Sequence, residues 1–203
     1  MTLYEIMVRL EKMLDPAKFN HSMFTMQTAK ELAGLYDMDT ETVSTAAILH
    51  DCACGMSHKD QLKLLLDHGA DVDETSRECP WILHGPAGRI VAQKEFSVYN
   101  ADILNAICYH TYGREEMGTL EKIVMISDFT EPTRNISEIA AKQAEIRKEA
   151  RKDLDEAVLM TLDSTISYLL ENGLPIHANS IATRNWILIK RSDKHTGEPD
   201  IDK

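Results

Sequence analysis

The sequence predicts an all-α protein folded as a single domain, and three observations carry that prediction. Apolar residues recur at helical spacing in one segment after another along the chain. No run alternates apolar and polar residues for long enough to build a sheet. A length of 203 residues suits one sizeable core better than two full domains.

Start and stop residues bound the helices in the first third of the chain. The first apolar stripe ends before Pro16, and a second helix covers about residues 19–36. Asp39 is the predicted N-cap of a third helix, on which His50 ends the inward face, and Ser57 is the predicted N-cap of a fourth. We therefore expect four helices in this part of the chain.

Proline and asparagine bound the helices of the second half in the same way. Pro86 stands at a natural first-turn position and opens a helix toward residue 96. Asn100 is the predicted N-cap of the next helix, on which His110 ends the inward face. A further helix starts after Thr119 and ends at Pro132. Helical spacing then covers residues 137–172, with a break near residues 151–153, and residues 180–190.

Composition and charge exclude several classes of protein. The net charge of −11 argues against a nucleic-acid or anionic-membrane surface, because such surfaces need clustered basic residues. No apolar run approaches the roughly 18 residues of a membrane span, and the N-terminus lacks the layout of a signal peptide. We therefore expect a cytoplasmic protein with reduced cysteines, ending in a polar, disordered tail over residues 192–203.

Histidines and aspartates on inward faces are the candidates for chemistry. His50 and His110 both end apolar stripes, so both side chains should point into the core. An inward histidine alone is more often a hydrogen-bonded core residue than a ligand, but two of them strengthen the ligand interpretation. A buried aspartate also needs a partner, and one cation satisfies several such groups together. The candidate set is His21, His50, Asp51, His84, His110 and Asp128.

This set of residue types is typical of a metal site. Four imidazoles and two carboxylates suit a divalent or trivalent ion, with iron, manganese and zinc all compatible. One bridging carboxylate could hold two ions close together, and such a pair can clamp a phosphate and generate hydroxide near neutral pH. The spacing of the six residues along the chain is irregular, so spacing alone is a moderate signal.

The segment ILHDCACGMSH, residues 48–58, places two thiols beside the candidate ligands. Structural zinc sites usually bring cysteines in close pairs, and Cys52 with Cys54 is the single such pair in the sequence. We expect both to be inert bystanders rather than ligands. His58 is predicted to be exposed, and a substrate contact by His177 is left open.

These residues carry a family resemblance. The sequence resembles the HD-domain superfamily, named after an adjacent His-Asp pair, here His50-Asp51. More narrowly, it is similar to the bacterial symmetrical bis(5′-nucleosyl)-tetraphosphatases. The similar segments span about residues 18–186 and read KFNHS, AAILHDCA, LHGPAG, ILNAICYHTYGR, KIVMISDFTEPTR and IHANSIATRNW.

The resemblance implies a bundle of helices with a di-iron centre in its core. By motif position, the HD-type hydrolase domain covers residues 1–191 and binds two metal ions, with manganese, cobalt or zinc as alternatives to iron. Asp51 would bridge the two ions. One ion would be held by His21, His50, Asp51 and Asp128, and the other by His84, His110 and Asp51.

The resemblance also implies the reaction. A metal-bound hydroxide would attack diadenosine tetraphosphate in line and release two ADP, with His50 and Asp51 as the catalytic residues. The segments YHTYGR and EPTR supply arginines, whose planar forks can meet two phosphate oxygens at once. The predicted substrate contacts are Lys18, Thr111, Gly113, Arg114 and Arg134.

The chain departs from the family pattern at residue 54. The family commonly carries lysine three positions after the aspartate, whereas this chain carries Cys54. The missing cation makes Arg114 and Arg134 the expected phosphate clamps. The alternative, that both are ordinary surface arginines, stays open.

Other functions also stay open at this point. The same fold and metals could act on a nucleoside mono-, di- or triphosphate, or the substitution at Cys54 could mark a non-catalytic nucleotide sensor. A purely structural helical module is a further alternative. The complete ligand set argues against the last two, and a homodimer is left open.

Overall fold

The fold consists of helices throughout the described residues. The computed structural model describes residues 1–133 and 140–195, which form eleven α-helices, one short 3-10 helix and no strand. The helices are α1 (Leu3–Glu11), α2 (Pro16–Ala33), α3 (Thr40–Leu49), α4 (His58–Asp67), α5 (Glu74–Glu78), the 3-10 helix (Pro80–Ile82), α6 (His84–Phe96), α7 (Ala101–Tyr109), α8 (Thr119–Thr130), α9 (Ala140–Glu149), α10 (Leu154–Glu171) and α11 (Ala178–His195). The all-α prediction is confirmed.

The predicted N-caps are confirmed by their hydrogen bonds. The side chains of Asp39 and Ser57 each accept a backbone N–H of the first turn of α3 and α4. Asn100 accepts two such bonds at the start of α7. The predicted break between α9 and α10 is also present, with Asp153 capping α10.

Several features of the helices differ from the prediction, and α2 covers Pro16–Ala33 instead of about residues 19–36. Helix α5 and the 3-10 helix were not predicted, because elements of five and three residues are too short to show a helical period. Helix α11 continues to His195, so the first four residues of the predicted tail are helical. Residues 196–203 lie outside the described part of the chain. Across the described residues, no helix combines the length and apolarity that a membrane span requires.

The core lies between α2, α3, α7 and α8, which pack against one another. Ile48 of α3, Ile107 of α7, and Ile123 and Ile126 of α8 are each fully buried there. Burial of such side chains contributes about 1.5–3 kcal/mol each relative to an exposed position. The candidate ligands are carried by these helices and by α6, which packs on α7.

A glycine permits the close approach of α6 to α7. A Cβ atom added at Gly85 would lie 2.6 Å from the carbonyl oxygen of Cys108, a distance that no ordinary side chain tolerates. The preceding residue is His84, and the residue that ends α7 is His110. The glycine of the LHGPAG segment therefore allows these two imidazoles to meet.

Candidate metal centre

The six predicted ligands converge on one site inside the helical bundle. His50 and His110 each directly follow the last turn of a helix, α3 and α7, and are 0% and 3% exposed. Asp51 lies in the turn after His50. The remaining three come from α2, α6 and α8, and they are His21, His84 and Asp128.

The carboxylate of Asp51 lies between two pairs of histidines. Its Oδ2 atom is 3.8 Å from His21 Nε2 and 3.6 Å from His50 Nε2. Its Oδ1 atom is 3.2 Å from His84 Nε2 and 3.7 Å from His110 Nε2. Within each pair the two Nε2 atoms are 3.1 Å and 3.0 Å apart, respectively. Each oxygen of one carboxylate thus faces a different pair of imidazoles.

Asp128 contacts the pair of His21 and His50, and a carboxylate oxygen of Asp128 also lies within 4.8 Å of a ring nitrogen of His110. Its Oδ1 atom is 2.9 Å from His21 Nε2 and 3.5 Å from His50 Nε2. We call His21, His50, Asp128 and Asp51 Oδ2 the His21 half of the site, and His84, His110 and Asp51 Oδ1 the His84 half. Ligand atoms about 2.0–2.2 Å from one ion lie on the order of 3 Å apart when they occupy neighbouring coordination positions. The spacing in both halves has that size.

The hydrogen bonds of the four imidazoles fix which nitrogen faces the site. Three of them place Nδ1 against a backbone carbonyl three residues earlier, in the pairs His50–Ala47 at 2.7 Å, His110–Ile107 at 2.8 Å and His84–Trp81 at 2.6 Å. A carbonyl oxygen can only accept, so Nδ1 carries the proton and a neutral ring presents the lone pair of Nε2 to the centre. Converging lone pairs and carboxylates repel one another unless a cation lies among them. The donor set therefore fits a metal ion.

Glu131 orients the fourth imidazole and was missed by the sequence analysis. Its Oε1 atom is 3.1 Å from His21 Nδ1, and its side chain also accepts hydrogen bonds from the backbone N–H and hydroxyl of Thr133. Glu131 is 2% exposed. A carboxylate behind a ligating histidine sets the tautomer and the ring orientation. The EPTR segment held this residue, but nothing in its pattern separates a buried acid from an exposed one.

The carboxylates and imidazoles shift one another's pKa values when no metal is bound. Burial alone would lower the pKa of His50, but the charges of Asp51 and Asp128 outweigh it and raise that pKa to about 9. Burial and the neighbouring His84 and His50 lower the pKa of His110 to about 3. Burial opposes the charge of Asp51, but the adjacent imidazoles hold its pKa well below the usual range.

These shifts predict that metal binding is stronger at higher pH. Without metal, His50 carries a proton at pH 7 because its pKa is about 9, and an ion must displace that proton to reach Nε2. We expect the apparent affinity to rise about tenfold per pH unit between pH 7 and 9 for each proton displaced. Titration calorimetry in buffers of different ionisation enthalpy measures the protons released. A constant affinity over this pH range would contradict the assignment of His50.

The predicted substrate contacts occupy different environments. Thr111 lies beside the His84 half, with its hydroxyl 3.4 Å from His84 Nε2 and 3.3 Å from His110 Nε2. Gly113 has a φ of +72°, and an added Cβ would lie 2.8 Å from the Thr183 hydroxyl. Glycine is thus required there by the backbone turn and by packing on α11. A contact of Gly113 with substrate stays a prediction.

Arg114, a predicted phosphate clamp, pairs with a buried acid in the structure. Its Nε and Nη2 atoms donate to the two carboxylate oxygens of Glu121 at 2.7 and 2.8 Å, and Nη1 donates to the Glu115 carbonyl. Glu121 is 4% exposed and would be a costly buried charge without this partner. This pairing gives Arg114 a structural role, and its contact with phosphate stays a prediction. Arg134 lies outside the described residues and stays a prediction.

A cavity beside the His84 half brings other residues to the site. Its volume is about 550 Å³, and Lys18, Cys54, Trp81 and His84 are among the residues that line it. The Lys18 ammonium donates to the Cys54 carbonyl at 2.9 Å. A contact of Lys18 with phosphate stays a prediction. Trp81, which the sequence analysis did not select, is 43% exposed.

The two thiols of the His-Asp segment differ from each other. Cys52 is a buried thiol, as predicted, and its Sγ donates to the Gly88 carbonyl at 3.3 Å. Burial raises its pKa well above the usual value. Cys54 lies close to the ligands, with its Sγ within 4.8 Å of ligand atoms of Asp51 and His84, and its predicted role as a bystander stays a prediction. A turn closed by the Cys54 N–H on the Asp51 carbonyl returns the side chain to the site.

The histidines outside the ligand set have other surroundings. His58 is exposed, as predicted, and lies at the same cavity as Lys18. His177 stacks on Tyr112 with ring centroids 4.2 Å apart and pairs with Asp73 at 3.1 Å. These three residues line a second cavity of about 570 Å³. A substrate contact by His177 stays untested.

Comparison with known families shows the family of the chain. The HD domain family matches residues 19–133, a range that contains all six candidate ligands. The chain belongs to the HD-domain family. It is a hydrolase of that family, as its relatives over most of its length are. The adjacent His50-Asp51 pair, which gives such domains their name, lies at the middle of the metal centre described above.

Similar proteins extend the comparison beyond the HD domain. A protein of Halalkalibacterium halodurans is 32% identical over 86% of this chain and 90% of its own length, and is named bis(5'-nucleosyl)-tetraphosphatase, symmetrical. A Bacillus subtilis protein of the same name is 30% identical over 91% of this chain and 96% of its own. A crystal structure from Clostridium acetobutylicum, described as a predicted HD superfamily hydrolase involved in NAD metabolism, has a TM-score of 0.88. It is 35% identical and covers 94% of this chain and 98% of its own.

Proposed function

We propose that this chain hydrolyses diadenosine tetraphosphate and related dinucleoside polyphosphates symmetrically, giving two ADP from the former, and that it needs two metal ions to do so. One observation supports the proposal most strongly. Each oxygen of the Asp51 carboxylate faces a separate pair of imidazoles, as expected of a bridging ligand. Relatives named for this activity, at 30–32% identity over most of the chain, support the choice of substrate.

The positions of the donor atoms support a division of the ligands between two ions. His21, His50 and Asp128 would hold one ion, His84 and His110 the other, and Asp51 both. A bound pair of ions supplies charge neutralisation at a phosphoryl group and a nucleophile at neutral pH. Iron is the identity that we propose, with manganese, cobalt and zinc as alternatives. A cytoplasmic location, favoured by the free cysteines, belongs to the same proposal.

The residues of the cavity beside His84 would bind the substrate. Its volume of about 550 Å³ lies in the usual range for small-molecule sites. The Lys18 ammonium offers a charge to a phosphate oxygen, and the exposed indole of Trp81 offers a flat face to a nucleobase. The Trp81 carbonyl also accepts the Nδ1–H of His84. A base on this indole would therefore keep the phosphate chain near the metal ligands.

Product analysis tests the proposal directly. We expect purified protein loaded with iron or manganese to convert diadenosine tetraphosphate to ADP as the main product, measured by chromatography. In ¹⁸O-labelled water the label should enter ADP, because solvent oxygen attacks an inner phosphorus. Lys18→Ala should raise KM while the metal content stays constant, and Lys63→Ala, an exposed lysine of α4, is the matched control. ATP with AMP as the main products would contradict the symmetrical reaction.

A second candidate keeps the fold and metals and changes the substrate. The similar hydrolase from Clostridium acetobutylicum is described as involved in NAD metabolism, which favours a nucleotide of that kind. The same assay run with NAD and with nucleoside mono-, di- and triphosphates separates this candidate from the first. Nucleotide binding without turnover at full metal loading would instead favour a sensor.

A further inference from the structure

The two halves of the metal centre differ in the ligands that the family pattern provides. The His21 half has four, namely His21, His50, Asp128 and one oxygen of Asp51. The His84 half has three, namely His84, His110 and the other oxygen of Asp51. An ion in the His84 half would therefore have one protein ligand fewer.

Cys54 lies beside the half that has fewer ligands. Its Sγ atom, a carboxylate oxygen of Asp51 and a ring nitrogen of His84 all lie within 4.8 Å of one another. Two ligands of one ion can be at most about 4.4 Å apart, the sum of a metal–sulfur bond of about 2.3 Å and a metal–nitrogen bond of about 2.1 Å. Sγ thus lies near this upper limit or inside it, and a shift of the side chain toward His84 and Asp51 would bring it into coordination.

The backbone around Cys54 is held in place. Its N–H donates to the Asp51 carbonyl at 2.8 Å, and its own carbonyl accepts the Lys18 ammonium at 2.9 Å. Cys54 is partly exposed to the cavity that also contains His84. The thiol thus reaches solvent, to which it can lose its proton when a metal–sulfur bond forms.

We propose that Cys54 is the fourth protein ligand of the ion in the His84 half. The inference rests on the proposed metal-dependent function and deepens it, because a sulfur ligand restricts the choice of metal. Thiolate favours zinc, iron or cobalt over manganese and magnesium. The His84 half would accordingly prefer a thiophilic ion. The His21 half, whose ligand atoms are all nitrogen or oxygen, would discriminate less between metals.

Cobalt substitution tests this ligand without using enzyme activity. Protein stripped with a chelator and reloaded with Co²⁺ should show the intense near-ultraviolet charge-transfer band of a thiolate–cobalt bond. Cys54→Ser should lose the band while elemental analysis still finds cobalt in the protein. Cys52→Ser is the matched control and should keep the band, because Cys52 Sγ is bonded to the Gly88 carbonyl instead.

A metal competition gives a second readout. The wild-type protein should prefer Zn²⁺ to Mn²⁺ more strongly than Cys54→Ser, by a factor on the order of ten or more. If Cys54→Ser fails to fold, the rate of Cys54 alkylation in the wild-type protein is measured instead. Bound metal should protect Cys54 from iodoacetamide, and peptide mass analysis identifies the modified residue.

The outcomes separate this inference from the proposed function. Wild-type protein with both halves loaded and no charge-transfer band, or a band that survives in Cys54→Ser, would overturn the role of Cys54 and leave the hydrolase proposal intact. Alkylation of Cys54 at the same rate with and without metal would do the same. Failure of the wild-type protein to bind cobalt, iron or manganese at all would overturn both.

Discussion

Asp51→Ala is expected to remove metal from both halves of the centre and to lower hydrolysis by more than about 10³-fold. A single lost electrostatic contact in an active site typically costs 10²–10³-fold, and here one substitution removes a ligand from each of two ions. The distances of 3.2–3.8 Å from the Asp51 oxygens to the four imidazoles place this carboxylate against both pairs. Elemental analysis of the purified variant measures the loss.

The control for this experiment is another aspartate. Asp71 is exposed on the loop after α4, and Asp71→Ala should leave metal content and activity unchanged. Asp51→Ala removes a neutralising charge from the buried imidazoles and could thereby destabilise the fold. Circular dichroism checks that the variant keeps its helices. Full occupancy by two ions in a folded Asp51→Ala protein would refute the bridging role.

The local features of the fold were predictable because local chemistry determines them. The caps Asp39, Ser57 and Asn100 act within three residues of their own position, so the sequence alone contains both partners of each bond. The inward direction of His50 and His110 follows from helical spacing on the same scale. These predictions are confirmed for that reason.

Features that depend on distant contacts were less predictable. The pairing of Arg114 with Glu121, seven residues further on and on the next helix, was not predicted. Cys54 was expected to be inert, but the turn after α3 returns its sulfur to Asp51. In both cases the sequence shows the residue type, whereas the partner depends on tertiary packing.

The ligand set was predicted from two kinds of evidence, which explain different parts of it. Spacing and burial nominated His50 and His110, whereas the division of six residues between two ions came from the family resemblance. The geometry of Asp51 gives that division a physical reason, since its two oxygens diverge toward different imidazole pairs. Such divergence depends on five helices meeting at one point, which no local pattern encodes.

The buried acid behind His21 allows one half of the centre to be weakened alone. Glu131→Gln replaces the carboxylate that faces His21 Nδ1 at 3.1 Å with a neutral amide of similar size. Loss of such a partner behind a ligating histidine typically costs 10–100-fold in metal affinity. We therefore expect the affinity of the His21 half to fall by that factor, whereas the His84 half keeps its own. Stepwise titration of the metal-free protein, followed by elemental analysis, resolves the two binding events.

The comparison with Asp51→Ala makes this result diagnostic. Loss of a ligand shared by both ions should remove both ions. Glu131, in contrast, contacts the imidazole of the His21 half. Glu145→Gln, at an exposed position of α9, has the same change of charge and should leave both affinities unaltered. Equal weakening of both ions in Glu131→Gln would indicate that the centre responds as a single unit, and no change in either would remove Glu131 from the site. Selective loss of one ion is the outcome that the contacts of Glu131 predict, because its carboxylate reaches the metal only through the ring of His21.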